Sequence, residues 1–303
     1  MTREPERCAV AGSNRARSRA AIPADRLARF AKEATWYHTI ELLPGLRTSG
    51  TYDHGPHLDR YGFPGSLVDS TVLDVGAADG FFSFEFQRRG AAQVLAVDTN
   101  EFDGFPAIDP SPAHLDDYVA KYRSQQECNE LFGDIYNALG VPHCHLFLAA
   151  RELLQSSVQY RNLSIYELPS LNVTFDYVFC GDLIEHLKNP LLALENLVRV
   201  TRKQCIISLS GVPVHLVPMR HVAVTRLAAF LIRTVGLSQV KRERAVEYVG
   251  NEGGGSFFRF CPESFREALL ASGFRSVRIH SVFELPNIRS KQNNRHAVFH
   301  CLP

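Results

Sequence analysis

The chain has 303 residues and 45% hydrophobic content, enough apolar side chains for one large α/β core with appended elements. Lysine and arginine total 33 against 32 for aspartate and glutamate, so the overall charge does not indicate a nucleic-acid-binding protein. Seven cysteines without a CxxC pair indicate neither a disulfide framework nor a thiolate metal site. We therefore expect a cytoplasmic chain built on one domain.

The N-terminal part divides into two segments. Residues 1–21 are rich in arginine, and no signal-peptide apolar run follows them, so they are predicted to form a disordered basic tail. An amphipathic helix, ADRLARFAKEA, then leads into WYHTIELLPGLRTSGTYDH from Trp36. Because aromatic, hydroxyl and glycine residues are concentrated there, 22–66 is predicted to be a helical and lid segment.

The segment VLDVGAADG, from Val72 to Gly80, breaks an apolar strand into a small acidic turn before a phenylalanine-rich helix. The helix is predicted from Phe81 to Gly90, where glycine closes it, and a second apolar strand ends on Asp98. This βαβ order is typical of a doubly wound sheet, whose ligands bind beyond the carboxyl ends of the strands. We expect the turn and Asp98 to face one crevice.

The charges of this turn disfavour a dinucleotide. Position 78 is alanine, and Asp79 places a carboxylate near the expected pyrophosphate, at a cost of about 1 to 4 kcal/mol for close like charges. S-adenosylmethionine instead carries an ammonium and a sulfonium and no phosphate. Asp98 is suitably placed to accept hydrogen bonds from a ribose diol. The residues therefore favour S-adenosylmethionine as the cofactor.

From Leu67 to the C-terminus, the sequence resembles the class I S-adenosylmethionine-dependent methyltransferases. The resemblance implies an α/β fold over 67–303: a doubly wound, seven-stranded, mostly parallel Rossmann-like sheet with an antiparallel last strand. The expected later elements are FDYVFC as the fourth strand, QCIISLS from Gln204 as the fifth, a helix in CPESFREALLASGF, and a closing hairpin of SVRIHSVFEL and RHAVFHCLP. RNLSIYELP is predicted to be a strand edge before Pro169, in the loop that borders the adenine in this family.

This resemblance also assigns cofactor contacts. Ser164 is expected to hydrogen-bond the adenine and Ile165 to cover its face, while Gly181 begins the turn beneath the methionine. Tyr37 and His38 are hypothesised to close over the cofactor, although Trp36 and Tyr37 equally well pack a helix onto the sheet. The full set of expected cofactor contacts is Tyr37, His38, Asp74, Gly76, Ala77, Asp79, Gly80, Phe81, Asp98, Ser164, Ile165, Cys180 and Gly181.

Residues 211–255 are predicted to be a substrate-cap insertion after the fifth strand, with Gly253 to Gly255 as a hinge or disordered tip. Within it, the apolar run from His221 to Val235 is interrupted by arginines. It therefore predicts an amphipathic helix and no membrane partner.

The expected catalytic residues lie in GDLIEHLKNP, which is predicted to open a helix. Helical spacing would place Asp182, Glu185 and His186 on one face. His186 or Asp182 could act as a general base, the trio could bind Mg²⁺ together with His215 or His221, or Glu185 and His186 could form a structural pair. The metal pattern resembles magnesium-dependent 2′-O-methyltransferases of small-RNA ends and the O-methyltransferases of ubiquinone synthesis.

Three functions are consistent with these patterns. The leading one is O-methylation of a hydroxyl on a small metabolite such as a sugar, glycoside or natural product. The second is modification of RNA, because the WYH triplet, SIYELP and IEHLKNP resemble bacterial tRNA wobble-uridine carboxymethyltransferases and related small-molecule methyltransferases. The balanced charge makes a nucleic-acid partner the less favoured expectation. The third is a non-catalytic cofactor-binding subunit.

Overall fold

The computed structural model describes residues 22–99, 127, 129–212, 246–251 and 256–303. The predicted tail at 1–21 and most of the predicted insertion at 211–255, including Gly253 to Gly255, lie outside the described residues.

The helices of the described residues are α1 (Ala24–Glu33), α2 (Leu58–Tyr61), α3 (Phe81–Arg88), α4 (Gly133–Leu139), α5 (Leu146–Leu153), α6 (Pro190–Val200) and α7 (Pro262–Ala271). The strands are β1 (Glu41–Leu43), β2 (Leu46–Arg47), β3 (Thr71–Val75), β4 (Gln93–Asp98), β5 (Gln159–Asn162), β6 (Phe175–Gly181), β7 (Thr201–Leu209), β8 (Val246–Asn251), β9 (Ser256–Phe260), β10 (Ser276–Pro286) and β11 (Asn293–Leu302). Short 3-10 helices occupy Gly55–His57, Ile165–Leu171 and Ile184–His186.

Seven strands form the central sheet in the order β10-β11-β7-β6-β3-β4-β5. Strands β3 to β7 run parallel, while β11 is antiparallel to both β7 and β10. The predicted fold class is therefore confirmed. Because β11 runs in the opposite direction and pairs Ala297 with Leu209, its first residues lie beside the carboxyl ends of β6 and β7.

Apolar residues cover both faces of the sheet, as expected for parallel strands. One face packs against α6, α7 and the 3-10 turn at Ile165–Leu171. The other packs against α2 and α3 through aromatic rings that include Tyr61, Phe82 and Phe179. A third cluster joins α1 to α4 and α5 around Trp36, which is fully buried and donates its indole N–H to the carbonyl of Phe30 at 3.2 Å.

Local sequence signals located several elements correctly. Helix α1 covers the predicted amphipathic segment, and α3 ends at Arg88 before Gly90, whose φ is +86°. The last helix and the closing hairpin also lie where the sequence placed them. These elements depend on short-range periodicity and on glycine at helix ends, which the sequence displays directly.

Two predicted elements are wrong. The strand edge expected in RNLSIYELP is limited to the end of β5, which stops at Asn162. Ser164 and Glu167 then form a capping box that begins a 3-10 helix. The segment after β6 does not open an α-helix: Ile184–His186 is one 3-10 turn, and α6 begins only at Pro190 after the Asn189 cap. Asp182, Glu185 and His186 therefore do not share the face of a helix. Strand β7 also starts earlier than predicted, at Thr201.

Among the described residues, no helix has both the length and the apolarity that a membrane span requires.

Candidate active site

The turn between β3 and α3 requires glycine at its last position. Gly80 has φ +97°, and a Cβ there would lie 2.6 Å from the Phe84 ring and 2.8 Å from the Phe147 ring. Gly76 and Ala78 are also left-handed, with φ of +77° and +49°. This conformation directs the N–H of Ala78 to the carboxylate of Asp98 at 2.7 Å. The turn and the end of β4 therefore meet, as predicted.

A small cleft opens at this meeting point. Four of the predicted cofactor residues line it, namely Gly76, Asp98, Ser164 and Ile165. The remaining lining residues are Val75, Val97, Thr99, Leu163, Tyr166, Leu183 and Leu187. The cleft therefore combines one acidic side chain with mostly apolar walls, which suits a nucleoside whose ribose hydroxyls meet a carboxylate.

Asp98 is the polar centre of this cleft. Its two oxygens accept the N–H groups of Ala78 at 2.7 Å and Thr99 at 2.8 Å. Burial raises the pKa of Asp98 to about 6, so the carboxylate is ionised at neutral pH. Each oxygen keeps acceptor capacity beyond its backbone bond, and the residues present fit the adenosine part of S-adenosylmethionine.

Two other predicted cofactor residues direct their side chains inward. Asp74 is 1% exposed and accepts the hydroxyl of Ser83 at 2.5 Å, and burial raises its pKa to about 7. The thiol of Cys180 belongs to the apolar cluster between the sheet and α6. Neither residue lines the cleft.

Asp79 differs most from its expected role. Sequence reasoning placed its carboxylate toward the cationic groups of the cofactor. In the structure Oδ2 accepts the N–H groups of Tyr37 at 2.7 Å and His38 at 2.9 Å, and Oδ1 contacts Nδ1 of His38. Asp79 therefore anchors the N-terminal segment to the glycine turn. Phe81 completes the junction, with its ring 5.8 Å from that of His38 and 5.7 Å from that of His54.

Asp182 follows β6 in a left-handed conformation, with φ +50°. Its carboxylate accepts the hydroxyl of Ser208 at 2.9 Å and lies 3.1 Å from Nδ1 of His296 on β11. Burial opposes the charge on Asp182, but the ion pair with His296 prevails and lowers the pKa of Asp182 to about 2. Burial likewise disfavours imidazolium, yet Asp182 overrides it and raises the pKa of His296.

Glu185 and His186 do not join this pair. One oxygen of Glu185 accepts the N–H of Ser210 at 2.7 Å and its hydroxyl at 2.6 Å, and burial raises the pKa of the carboxyl. No cluster of three His, Cys, Asp or Glu side chains suited to a metal occurs in the described part of the chain. His215 and His221, the other expected metal ligands, lie outside the described residues.

Sequence reasoning missed three residues of this site. His296 was assigned only to a closing strand, and Tyr52 and His54 only to an aromatic-rich lead. The Tyr52 ring lies 6.4 Å from that of His296 and 6.0 Å from that of His54. Nε2 of His54 and Nε2 of His296 are buried and lack a hydrogen-bond partner among the described residues. A histidine at the start of an antiparallel last strand is the one signal that would have pointed here.

Residues 107–209 match the family model described as "Methyltransferase domain". Over these residues the sequence is therefore similar to a methyltransferase domain. The seven-stranded sheet and the cleft at the carboxyl ends of β3 and β4 have the arrangement expected for the class I, S-adenosylmethionine-dependent methyltransferases.

Solved structures with related folds include several methyltransferases. The N-terminal domain of EvdMO1, crystallised with SAH and D-fucose, is 16% identical, with a TM-score of 0.48 over 97% of this chain and 100% of that chain. Magnesium protoporphyrin IX methyltransferase from Synechocystis PCC 6803 is 15% identical, with a TM-score of 0.42 over 79% and 77%. The arsenic(III) methyltransferase of Chlamydomonas reinhardtii is 14% identical, with a TM-score of 0.40 over 97% and 74%. No curated protein sequence matches the chain significantly.

Proposed function

We propose that this methyltransferase methylates a hydroxyl group of a small metabolite, such as a sugar, a glycoside or a natural product. The observation that carries the proposal is the pairing of buried His296 with the partly buried Asp182 beyond the carboxyl end of β6. Its imidazole has one nitrogen held by a carboxylate and the other, Nε2, without a partner among the described residues. This is the arrangement of an oriented general base.

A hydroxyl acceptor needs such a base more than most nucleophiles, because a protonated hydroxyl attacks weakly. In the proposed step, Nε2 of neutral His296 takes the proton of the acceptor hydroxyl while its oxygen bonds to the methyl carbon. When bound, S-adenosylmethionine supplies that methyl group, and the electron pair of the broken C–S bond stays on sulfur. Asp182 holds the imidazole through Nδ1 and stabilises the imidazolium that forms.

Alignment of the acceptor is the second contribution of the protein. The N-terminal segment, held by Asp79, brings Tyr52 and His54 toward the Asp182–His296 pair. A site enclosed in this way positions the reacting oxygen and excludes water, and such positioning can contribute about 7 to 11 kcal/mol to lowering a barrier.

The decisive experiment incubates the full chain with methyl-labelled S-adenosylmethionine and a panel of hydroxylated acceptors, analysed by mass spectrometry. D-fucose, simple glycosides and catechols form the first panel. We expect a product heavier by one methyl group on oxygen, and its loss in His296→Gln with cofactor affinity retained. Methyl transfer to an amine or a thiol acceptor, with none to oxygen, contradicts the proposal.

An RNA acceptor is the competing outcome, favoured by the likeness of the WYH segment to tRNA carboxymethyltransferases. It requires binding of bulk tRNA that weakens as salt rises, because phosphate contacts release counterions. We expect no tRNA binding at low salt. Methyl or carboxymethyl transfer to tRNA would replace the small-metabolite proposal.

A further inference from the structure

Two imidazole nitrogens of the site, not one, await a polar partner. Nε2 of His54 is enclosed in the same way as Nε2 of His296, and neither has a hydrogen-bond partner within the part of the chain that the structure describes. His54 is 2% exposed and His296 is 1% exposed. A buried polar atom left unpaired destabilises the protein, so native sites usually satisfy such atoms with a ligand or with water.

Both imidazoles contact the ring of Tyr52, and they are close enough to each other that a charge on His296 lowers the pKa of His54. The Tyr52 ring centroid lies 6.0 Å from that of His54 and 6.4 Å from that of His296. The Tyr52 hydroxyl accepts the side-chain amides of Asn287 at 3.2 Å and Asn294 at 2.5 Å, which hold the ring in place. Both histidines therefore pack against a ring whose position the two amides hold.

The two histidines differ in the chemistry that they support. His296 has a carboxylate on Nδ1, whereas Nδ1 of His54 pairs with the neutral hydroxyl of Tyr61 at 2.8 Å. Burial and the neighbouring imidazole of His38 lower the pKa of His54 well below its ordinary value, so its ring is neutral. Whichever partner donates across the Tyr61 bond, Nε2 of His54 remains able to exchange a hydrogen bond with a hydroxyl.

We propose that the acceptor carries two neighbouring hydroxyl groups, as in a sugar diol or a catechol, and that His54 binds the hydroxyl adjacent to the one methylated. His296 takes the proton of the reacting hydroxyl, and His54 sets which acceptors and which positions react. This proposal rests on the proposed function, since it concerns the acceptor of the same reaction.

The first test compares acceptors that differ by one hydroxyl. The matched pairs are catechol with phenol, and methyl β-D-fucopyranoside with its monodeoxy derivatives. For the wild-type protein we expect kcat/KM for the diol to exceed that for its single-hydroxyl partner by about 10- to 100-fold, because the deoxy compound leaves Nε2 of His54 unpaired.

The second test separates binding by His54 from its structural bond to Tyr61. In His54→Asn the side-chain amide can occupy the place of Nδ1 and keep the Tyr61 bond, while the Nε2 position is lost. His54→Gln places a polar group near the position of Nε2. We expect His54→Asn to raise KM for the diol and abolish the preference over the mono-ol, and His54→Gln to restore part of it. Tyr61→Phe is the control for the bond itself.

The pH profile distinguishes binding by His54 from a merely structural role. His54→Asn should lose the diol preference but keep the acid limb of kcat unchanged, because His54 does not accept the proton. Equal rates with diol and mono-ol acceptors in the wild type, or an undiminished preference in His54→Asn, would overturn the diol proposal. Absence of methyl transfer to every hydroxylated acceptor, despite cofactor binding, would instead contradict the proposed function.

Discussion

The carboxylate of Asp182 lies 3.1 Å from Nδ1 of His296, although 114 residues separate them in the chain. The pair forms because antiparallel β11 brings its first residues beside the turn that follows β6. The proton transfer that we propose depends on this contact.

Activity should rise with increasing pH, and the midpoint of this rise should lie above 6.5, the ordinary pKa of imidazole. Asp182 raises the pKa of His296, and only the neutral imidazole accepts a proton. Asp182→Asn removes the charge that raises this pKa, so the acid limb of kcat/KM should move to lower pH. Its maximal rate should fall about 100-fold or more, since the base loses its orientation. Glu284→Gln, which removes the charge of an exposed carboxylate on β10 that pairs with Arg295 of β11, is the control. An unmoved acid limb in Asp182→Asn would reject His296 as the base.

The same pair should contribute to stability in a defined pH window. The contribution of His296 to stability is fully present below pH 6.5, the ordinary pKa of imidazole. It is lost as the pH rises through the raised pKa of His296 in the folded protein. The Asp182 contribution is present above 3.8 and is lost as pH falls through about 2. In urea unfolding, Asp182→Asn should therefore lose the most stability between pH 3.8 and pH 6.5, and less at alkaline pH.

Asp79→Asn should loosen the N-terminal segment without unfolding the sheet. It weakens three contacts to Tyr37 and His38, and a hydrogen bond to a charged group contributes about 1.5 to 3 kcal/mol. Trp36, the single tryptophan, reports this change through red-shifted emission and greater quenching by acrylamide. Asp53→Asn alters the more exposed pair with Arg47 in the same segment and should leave Trp36 unaffected.

The closing role of Tyr37 and His38 is tested separately by His38→Ala. If these residues close over the cofactor, S-adenosylmethionine should bind more weakly and turnover should fall. If calorimetry shows unchanged affinity and turnover is also unchanged, the closing role is rejected. Trp36 and Tyr37 then only pack a helix onto the sheet.

Asp98→Ala should weaken S-adenosylmethionine binding by about 10- to 100-fold, the effect of losing one charge-assisted hydrogen-bonding group. The carboxylate lines the cleft and is held by the N–H groups of Ala78 and Thr99. Titration calorimetry with S-adenosylhomocysteine measures the loss, and exposed Asp69→Asn serves as the matched control. Binding equal to that of the wild type would place the cofactor elsewhere.

Exhaustive chelation should leave activity unchanged if His296 is the base. The oxygens of Asp182 contact His296 and Ser208, and one oxygen of Glu185 is held by Ser210. Activity lost with chelator and restored by Mg²⁺ would revive the metal interpretation, with ligands that include His215 or His221.

Asp176 lies at the end of the sheet opposite the candidate active site. Its substitution therefore tests stability without changing that site. The buried carboxylate accepts the N–H of Thr71 at 3.0 Å and pairs with Arg202 at 2.7 Å and Lys203 at 2.9 Å. Burial opposes its charge, but these partners lower the pKa of Asp176, so its stabilisation is lost on acidification below the ordinary value of 3.8. Asp176→Ala should cost about 2 to 3 kcal/mol in urea unfolding near neutral pH. Glu267→Ala, in an exposed pair with Arg266, should cost less than about 1 kcal/mol.

The sequence by itself determined the strand, turn and helix around Gly80, the position of Asp98 and the antiparallel closing hairpin. These features depend on apolar periodicity and on glycine in left-handed conformations, and both act over a few residues. The cleft beside Asp98 could be predicted for the same reason, because parallel strands end at one edge of the sheet.

Tertiary structure alone decided what the acidic residues do. Asp79 anchors Tyr37 and His38 from across 42 and 41 residues, and Asp182 selects His296 rather than Glu185 and His186 nearby. Spacing predicted a helical face at 182–186, but the chain makes a 3-10 turn there, so neighbours in sequence point apart. Pairing between distant side chains depends on the register of β11 against β7, and that register leaves no local pattern in the sequence.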